Sequence, residues 1–131
     1  KLFSKASQGS SYTNVSYVNT YTTSGIIYAS MTGSDFKQTN LSTVANSYSK
    51  SITQDDEHEM FKKVEYTSIN GKRYAYFTYT TSKADYKSYG TVYMTCDNGT
   101  AHIFTLIQNE VFYGSAEIDD FIDIVNSFQS K

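Results

Sequence analysis

A single cysteine, Cys96, excludes an intrachain disulfide and leaves the redox compartment open. A single arginine, Arg73, argues against nucleic acid, because phosphate recognition leans on arginine forks and clustered lysines, and no basic stripe is present. No apolar run approaches the ~20 residues of a membrane span. No HExxH, EF-hand or CxxC pattern occurs, so no metal or cofactor is expected. Proline and tryptophan are absent altogether.

What is present is a chain of 131 residues, the size of one domain, with net charge −2. A domain of this size buries about two-thirds of its unfolded surface and needs no disulfide or metal to hold it. Serine and threonine make up about a quarter of the residues, and there are 13 tyrosines. This composition is common in exported bacterial domains, so an extracellular place at a bacterial cell surface is expected. Residues 1–11 are small, polar and aperiodic and read as a disordered leader or tether, which leaves 12–131 as the single domain. The first residue is Lys1, which fits an export signal or lipid anchor lying upstream, and equally an arbitrary boundary.

Hydrophobic periodicity orders the rest. Val15, Tyr17 and Tyr21 recur at even spacing, as in a strand, and Gly25 to Met31 forms a second. Leu41, Val44, Ala45, Tyr48 and Ile52 make one stripe of a helix over 40–53, with Asn40 as N-cap. Asp55-Asp56-Glu57-His58-Glu59 breaks the pattern. Two Asn-Gly pairs, Asn70-Gly71 and Asn98-Gly99, then mark type I′ hairpin turns, which need φ > 0 at both central residues.

Two-residue loops fix register. The first hairpin should pair Ile69 with Lys72, Tyr66 with Ala75, Val64 with Phe77 and Lys63 with Thr78. The second should pair Asp97 with Thr100, Met94 with Ile103 and Tyr93 with Phe104. Both faces of the second hairpin are apolar, with Val92, Met94, Ile103 and Ile107 on one and Tyr93, Phe104 and Leu106 on the other. A sheet covered on one side alternates apolar with polar, so this hairpin needs cover on both. The last helix supplies part of it through Ile118, Phe121, Ile122, Val125 and Phe128, with Ser115 as N-cap and Glu117, Asp119 and Asp120 in its first turn. The reading is an α+β domain of order β-β-α-β-β-β-β-α, an antiparallel sheet with a helix on each face. A cystatin- or NTF2-like helix-on-sheet domain is the alternative, and would cover one face only.

The element order, the phrase INGKRYAYFTY from Ile69 and the phrase IDDFIDIVNSF from Ile118 together resemble the PsbP-like family over residues 12–129. The resemblance implies an α/β/α sandwich and a non-enzymatic accessory or binding domain, as in the family's bacterial exported lipoproteins. The Pro- and Trp-bearing opening of many members is missing, and no binding residue carries over position by position.

Candidate chemistry is sparse. His58 among four carboxylates could bind a cation or act as a base, but neighbours in an extended segment point to alternate sides, and a solvated loop is the commoner outcome. His102, opposite Thr95, is expected as a satisfied sheet histidine, and Cys96 as a small core thiol. Gly114-Ser115 lacks the second glycine of a nucleophile elbow. Tyrosine offers a large contact area with a polar tip. Tyr74 and Tyr76, sharing a face with Lys63 and Glu65, and Tyr86, Tyr89 and Tyr113 near strand ends are the binding candidates. The expectation is therefore a monomeric, non-catalytic binding domain that takes a protein or cell-wall glycan. A small hydrolase using His58 or His102 with a carboxylate is the alternative.

Overall fold

The computed structural model describes the backbone of residues 4–8 and 15–19, and residues 24–83, 85–114 and 116–128 in full. The strands are β1 (Ser4–Gln8), β2 (Val15–Asn19), β3 (Ser24–Thr32), β4 (His58–Ile69), β5 (Lys72–Lys83), β6 (Tyr86–Asp97) and β7 (Thr100–Asn109). The helices are α1 (Leu41–Ile52), between β3 and β4, and α2 (Glu117–Ser127), after β7. All seven strands join one antiparallel sheet in the order β1-β2-β3-β7-β6-β5-β4.

Both Asn-Gly turns form as expected, with φ of 52° and 78° at Asn70 and Gly71 and 51° and 83° at Asn98 and Gly99. The β6–β7 register matches the sequence reading throughout, including Tyr93 opposite Phe104 and Thr95 opposite His102. The two apolar faces of that hairpin each receive a helix. Leu41 and Ala45 of α1 pack on Ala75, Phe77, Val92, Met94, Cys96, Ala101 and Ile103. Phe121 and Val125 of α2 pack on Ile26, Tyr74, Phe104 and Leu106 on the other side. The sandwich is thereby established, and the helix-on-one-face alternative is excluded.

Three expectations change, and a fourth falls outside the described residues. A strand, β1, occupies part of the segment read as a leader, because an edge strand pairs through its backbone and needs no apolar pattern. The β4–β5 pairing follows the expected register only from Glu65 to Ile69. Irregularities between Met60 and Lys62 and between Lys62 and Glu65 place Lys62, not Lys63, opposite Thr78, and leave Lys63 and Val64 together across from Phe77, with Val64 still packed against the core that holds Phe77. Asn40 stands at the N-cap position of α1, but its side-chain amide donates to the Asp35 carbonyl at 2.9 Å rather than accepting from the helix. Ser115 lies outside the described residues, and Ala116 holds the N-cap position of α2.

Polar latches tie the helices and turns to the sheet. Glu117 is 3 % exposed and accepts from Ser24 Oγ at 2.8 Å and from Gln108 Nε2 at 3.0 Å, so it anchors α2 to β3 and β7 rather than facing water. The Asn70 side chain donates to the Asn126 carbonyl near the end of α2. Gln38, in the 3₁₀ turn before α1, donates to Thr95 Oγ1 and the Cys96 carbonyl, both at 2.8 Å, and accepts from the Arg73 amide.

Candidate functional site

Strand alternation sends Tyr89, Thr91, Tyr93 and Thr95 of β6 to the α2 side of the sheet. From β5, Tyr74, Tyr76, Thr78 and Thr80 point the same way. The buried stripe of α2 covers the β3–β7 side of this face and reaches Tyr74. Toward β4 the face carries tyrosine and threonine instead.

The candidate tyrosines separate into distinct environments. Tyr74 is 3 % exposed beneath α2, and burial pushes its phenol up to about 12. It is a core residue, and its expected exposure is corrected. Its expected face carries polar residues, but α2 packs over it. Tyr76 is half-buried and stacks on its cross-strand partner Tyr93, with ring centroids 5.0 Å apart and planes 9° from parallel. Its hydroxyl donates to Glu65 at 3.3 Å, and its pKa is raised, first by desolvation and then by that carboxylate. Tyr89 and Tyr113 stack at 4.1 Å and 17°. Tyr86 is 53 % exposed at the β5–β6 hairpin, where alternation puts it on the opposite face from Tyr89.

Tyr113 reaches Tyr89 because the chain folds back after β7. The Asn109 side chain accepts from the Val111 amide, and the buried Gln108 donates to the Phe112 carbonyl at 3.0 Å, which fixes the 3₁₀ turn Glu110–Phe112. Phe61 completes the cluster with its ring edge-on to Tyr89 at 5.0 Å and to Tyr113 at 5.6 Å, and it is 47 % exposed. The Lys62 ammonium lies 5.9 Å from the Tyr113 ring, and that of Lys87 lies 5.6 Å from Tyr89. In a regular strand Phe61 and Lys62 would point to opposite faces. The irregularity between Met60 and Lys62 brings both to Tyr113. Phe61, Lys62, Lys87 and Tyr93 were not singled out from sequence. A lone phenylalanine among the charged residues of 57–63 was the available signal for the first two.

The histidines do not share a site. Asp55 Oδ1 accepts from His58 Nδ1 at 2.7 Å and from the amides of Glu57 and His58, in an exposed turn. The His58 bond, first among these, holds the Asp55 carboxyl below its usual range. His102 is 7 % exposed, shares a 2.8 Å hydrogen bond with the Tyr28 hydroxyl through Nδ1, and packs against Phe128. Among the described residues its Nε2 is buried without a hydrogen-bond partner. Cys96 is fully buried, and burial pushes its thiol up to about 11. Among the described residues no three His, Cys, Asp or Glu side chains converge to hold a metal, and no helix is long and apolar enough to cross a membrane. A groove of about 480 Å³ beside α1 is lined by Met31, Phe36, Val44, Tyr48 and the edge residues Asp35 and Ser47, with no histidine in its wall.

No protein-family model matches the chain, and no curated protein matches its sequence. Solved structures do match. Cyanobacterial PsbP (CyanoP) from Synechocystis has a TM-score of 0.70 at 15 % identity, over 100 % of this chain and 83 % of its own. The fold is PsbP-like. A Pseudomonas aeruginosa protein of unknown function matches with a TM-score of 0.65 at 10 % identity, over 98 % of this chain and 81 % of its own. A Bacteroides thetaiotaomicron structure matches with a TM-score of 0.67 at 9 % identity. This chain spans 99 % of its own length but only 42 % of that larger protein. At such identities the PsbP-like likeness carries the architecture and no site residue.

Proposed function

We propose that this PsbP-like chain is a non-catalytic binding domain of an exported bacterial protein, taking a cell-surface partner on the aromatic face beside α2. The observation that carries the reading is the partly exposed cluster of Phe61, Tyr89 and Tyr113, held in mutual ring contact on a rigid sheet. Exposed aromatic groups packed into one surface are characteristic of recognition sites, since they give contact area at little entropic cost. The Tyr/Ser/Thr-rich composition supports the cell-surface setting.

The test is binding to purified bacterial cell walls by Tyr89→Ala with Tyr113→Ala. The expected outcome is a loss of about tenfold or more, the size of a central contact at an interface. Circular dichroism checks that the fold is kept. Unchanged binding overturns the site. Tyr74 is unsuitable for this test, because its removal would strike the core.

The hydrolase reading has the His58–Asp55 pair in its favour. It requires that His58→Ala abolish turnover of an ester or amide substrate that the native chain cleaves.

A further inference from the structure

We propose that Asn70 is a site of spontaneous deamidation, and that its conversion to aspartate or isoaspartate releases the C-terminal end of α2. The chemistry belongs to the Asn-Gly pair, and the fold decides which of the two pairs undergoes it. The Gly71 amide nitrogen attacks Asn70 Cγ. The N–Cγ bond forms, the Cγ–Nδ2 bond breaks, and Nδ2 leaves as ammonia with the proton of the Gly71 amide. Water then opens the cyclic imide. Opening at Cγ leaves aspartate, and opening at the Asn70 backbone carbonyl carbon leaves isoaspartate, with the main chain running through the side-chain methylene. One water enters, one ammonia departs, and nothing is oxidised or reduced. Glycine favours the attack because no Cβ shields its nitrogen.

Asn70-Gly71 and Asn98-Gly99 share positive φ at both residues, but their surroundings differ. The Gly99 amide donates to the Phe36 carbonyl at 2.9 Å, and the Gly99 carbonyl accepts from the Gly33 amide at 2.9 Å. Gly99 is thus tied at both ends to the loop between β3 and α1, and its nitrogen cannot turn onto Asn98 without breaking those bonds. At Gly71 a Cβ would meet nothing within 4 Å, and both residues of that turn are exposed.

Asn70 also carries a load that Asn98 does not. The last carbonyls of a helix lack partners within it. In α2, Ser127 Oγ donates to the Ile124 carbonyl at 2.8 Å, the Phe128 amide donates to the Val125 carbonyl at 3.1 Å, and Asn70 Nδ2 donates to the Asn126 carbonyl. The last turn holds no basic residue, so this amide from the β4–β5 turn offsets the negative end of the helix. Deamidation removes the donor outright, since Nδ2 is the departing atom. It also places a carboxylate against a carbonyl at that negative end. Phe128, which follows, lies against the Tyr28, Phe104 and His102 rings, and release of this end uncovers them.

Ageing the native chain in mildly alkaline buffer, with peptide mapping by mass spectrometry and isoaspartate detection by an isoaspartyl methyltransferase, locates the site. Asn70 should convert about tenfold faster than Asn98, because the Gly99 hydrogen bonds must break first. In denaturant the two pairs should convert at similar rates. Similar rates in the folded chain, a faster Asn98, or the same ratio kept in denaturant overturns the selection of Asn70 by the fold. Hydrogen exchange reads the consequence. The amides of residues 126–128 should exchange about fivefold faster in the aged chain and in Asn70→Asp, the effect of one lost hydrogen bond, while those of β6 and β7 keep their rates. Aspartate suits the turn as asparagine does, since both adopt positive φ. Unchanged exchange at 126–128 in either sample overturns the release of α2, and so does acceleration shared equally by β6 and β7.

Discussion

At the residue scale, His102 and Gly90 show how little freedom the sheet interior leaves. Burial lowers the His102 pKa from its ordinary 6.5, with Lys72 adding to the shift and Asp97 opposing it. The Tyr28 hydroxyl at Nδ1 and the Phe128 ring complete its surroundings. Because the folded state resists the proton, the unfolded chain binds more protons below about pH 6.5, and stability falls as pH drops through that value. His102→Phe keeps the ring and removes the titration. Melting temperatures between pH 7.5 and pH 5 should therefore fall less in the variant than in the native chain. Equal slopes would remove His102 as the source.

Gly90 lies directly across from Tyr79, whose ring covers it. A Cβ at Gly90 would stand 2.3 Å from Tyr79 Cζ, inside the α1-side core. Gly90→Ala should destabilise by about 1–3 kcal/mol in a denaturant melt. Adding Tyr79→Ala should give a double variant that loses less than the sum of the two, because the clash is gone.

At the element scale, α2 is held by packing and by Glu117. Removing that carboxylate takes an acceptor from both Ser24 and Gln108 in a buried place. Glu117→Ala should lower stability by about 1–3 kcal/mol, with Glu117→Gln milder because an acceptor oxygen remains. Chemical denaturation of the two variants checks the order. If both lose the same amount, the acceptor role is wrong.

The elements also show what a sequence can and cannot declare. The β6–β7 hairpin was legible to the residue, because turn chemistry and the period-2 pattern are both local and agree at Asn98-Gly99. The sandwich was the first reading, since apolar residues on both faces of one hairpin call for cover on both, and the placement of α1 and α2 decided it against the one-faced alternative. Glu117 was read as a first-turn acid facing the dipole, because nothing in its neighbours distinguishes an exposed carboxylate from one that Ser24 will reach across 93 positions. Tyr74 was misread for a related reason, as the path of α2 over the sheet is set by tertiary packing. Of the aromatic face, Tyr76, Tyr89 and Tyr113 were named from sequence, whereas Phe61 and Lys62 depend on an irregularity that no glycine or proline announces.

At the scale of the whole molecule, one wide sheet carries two different surfaces. The α1 side is closed over Phe77, Val92 and Met94 and leaves a shallow apolar groove along the helix. The α2 side is divided, with a packed half under the helix and a partly exposed aromatic half beside it. A rigid sheet beneath the open half means that binding should need little rearrangement, so affinity differences among ligands should appear mainly in dissociation rates.

The two irregularities in β4 have a second consequence. A flat outer strand is a template on which further copies can stack, and twisted, lysine-bearing edges resist that. The displacement that turns Phe61 and Lys62 together toward Tyr113 therefore also makes this border a poor template for further copies. One departure from the ladder thus shapes both the aromatic cluster and the border of the sheet.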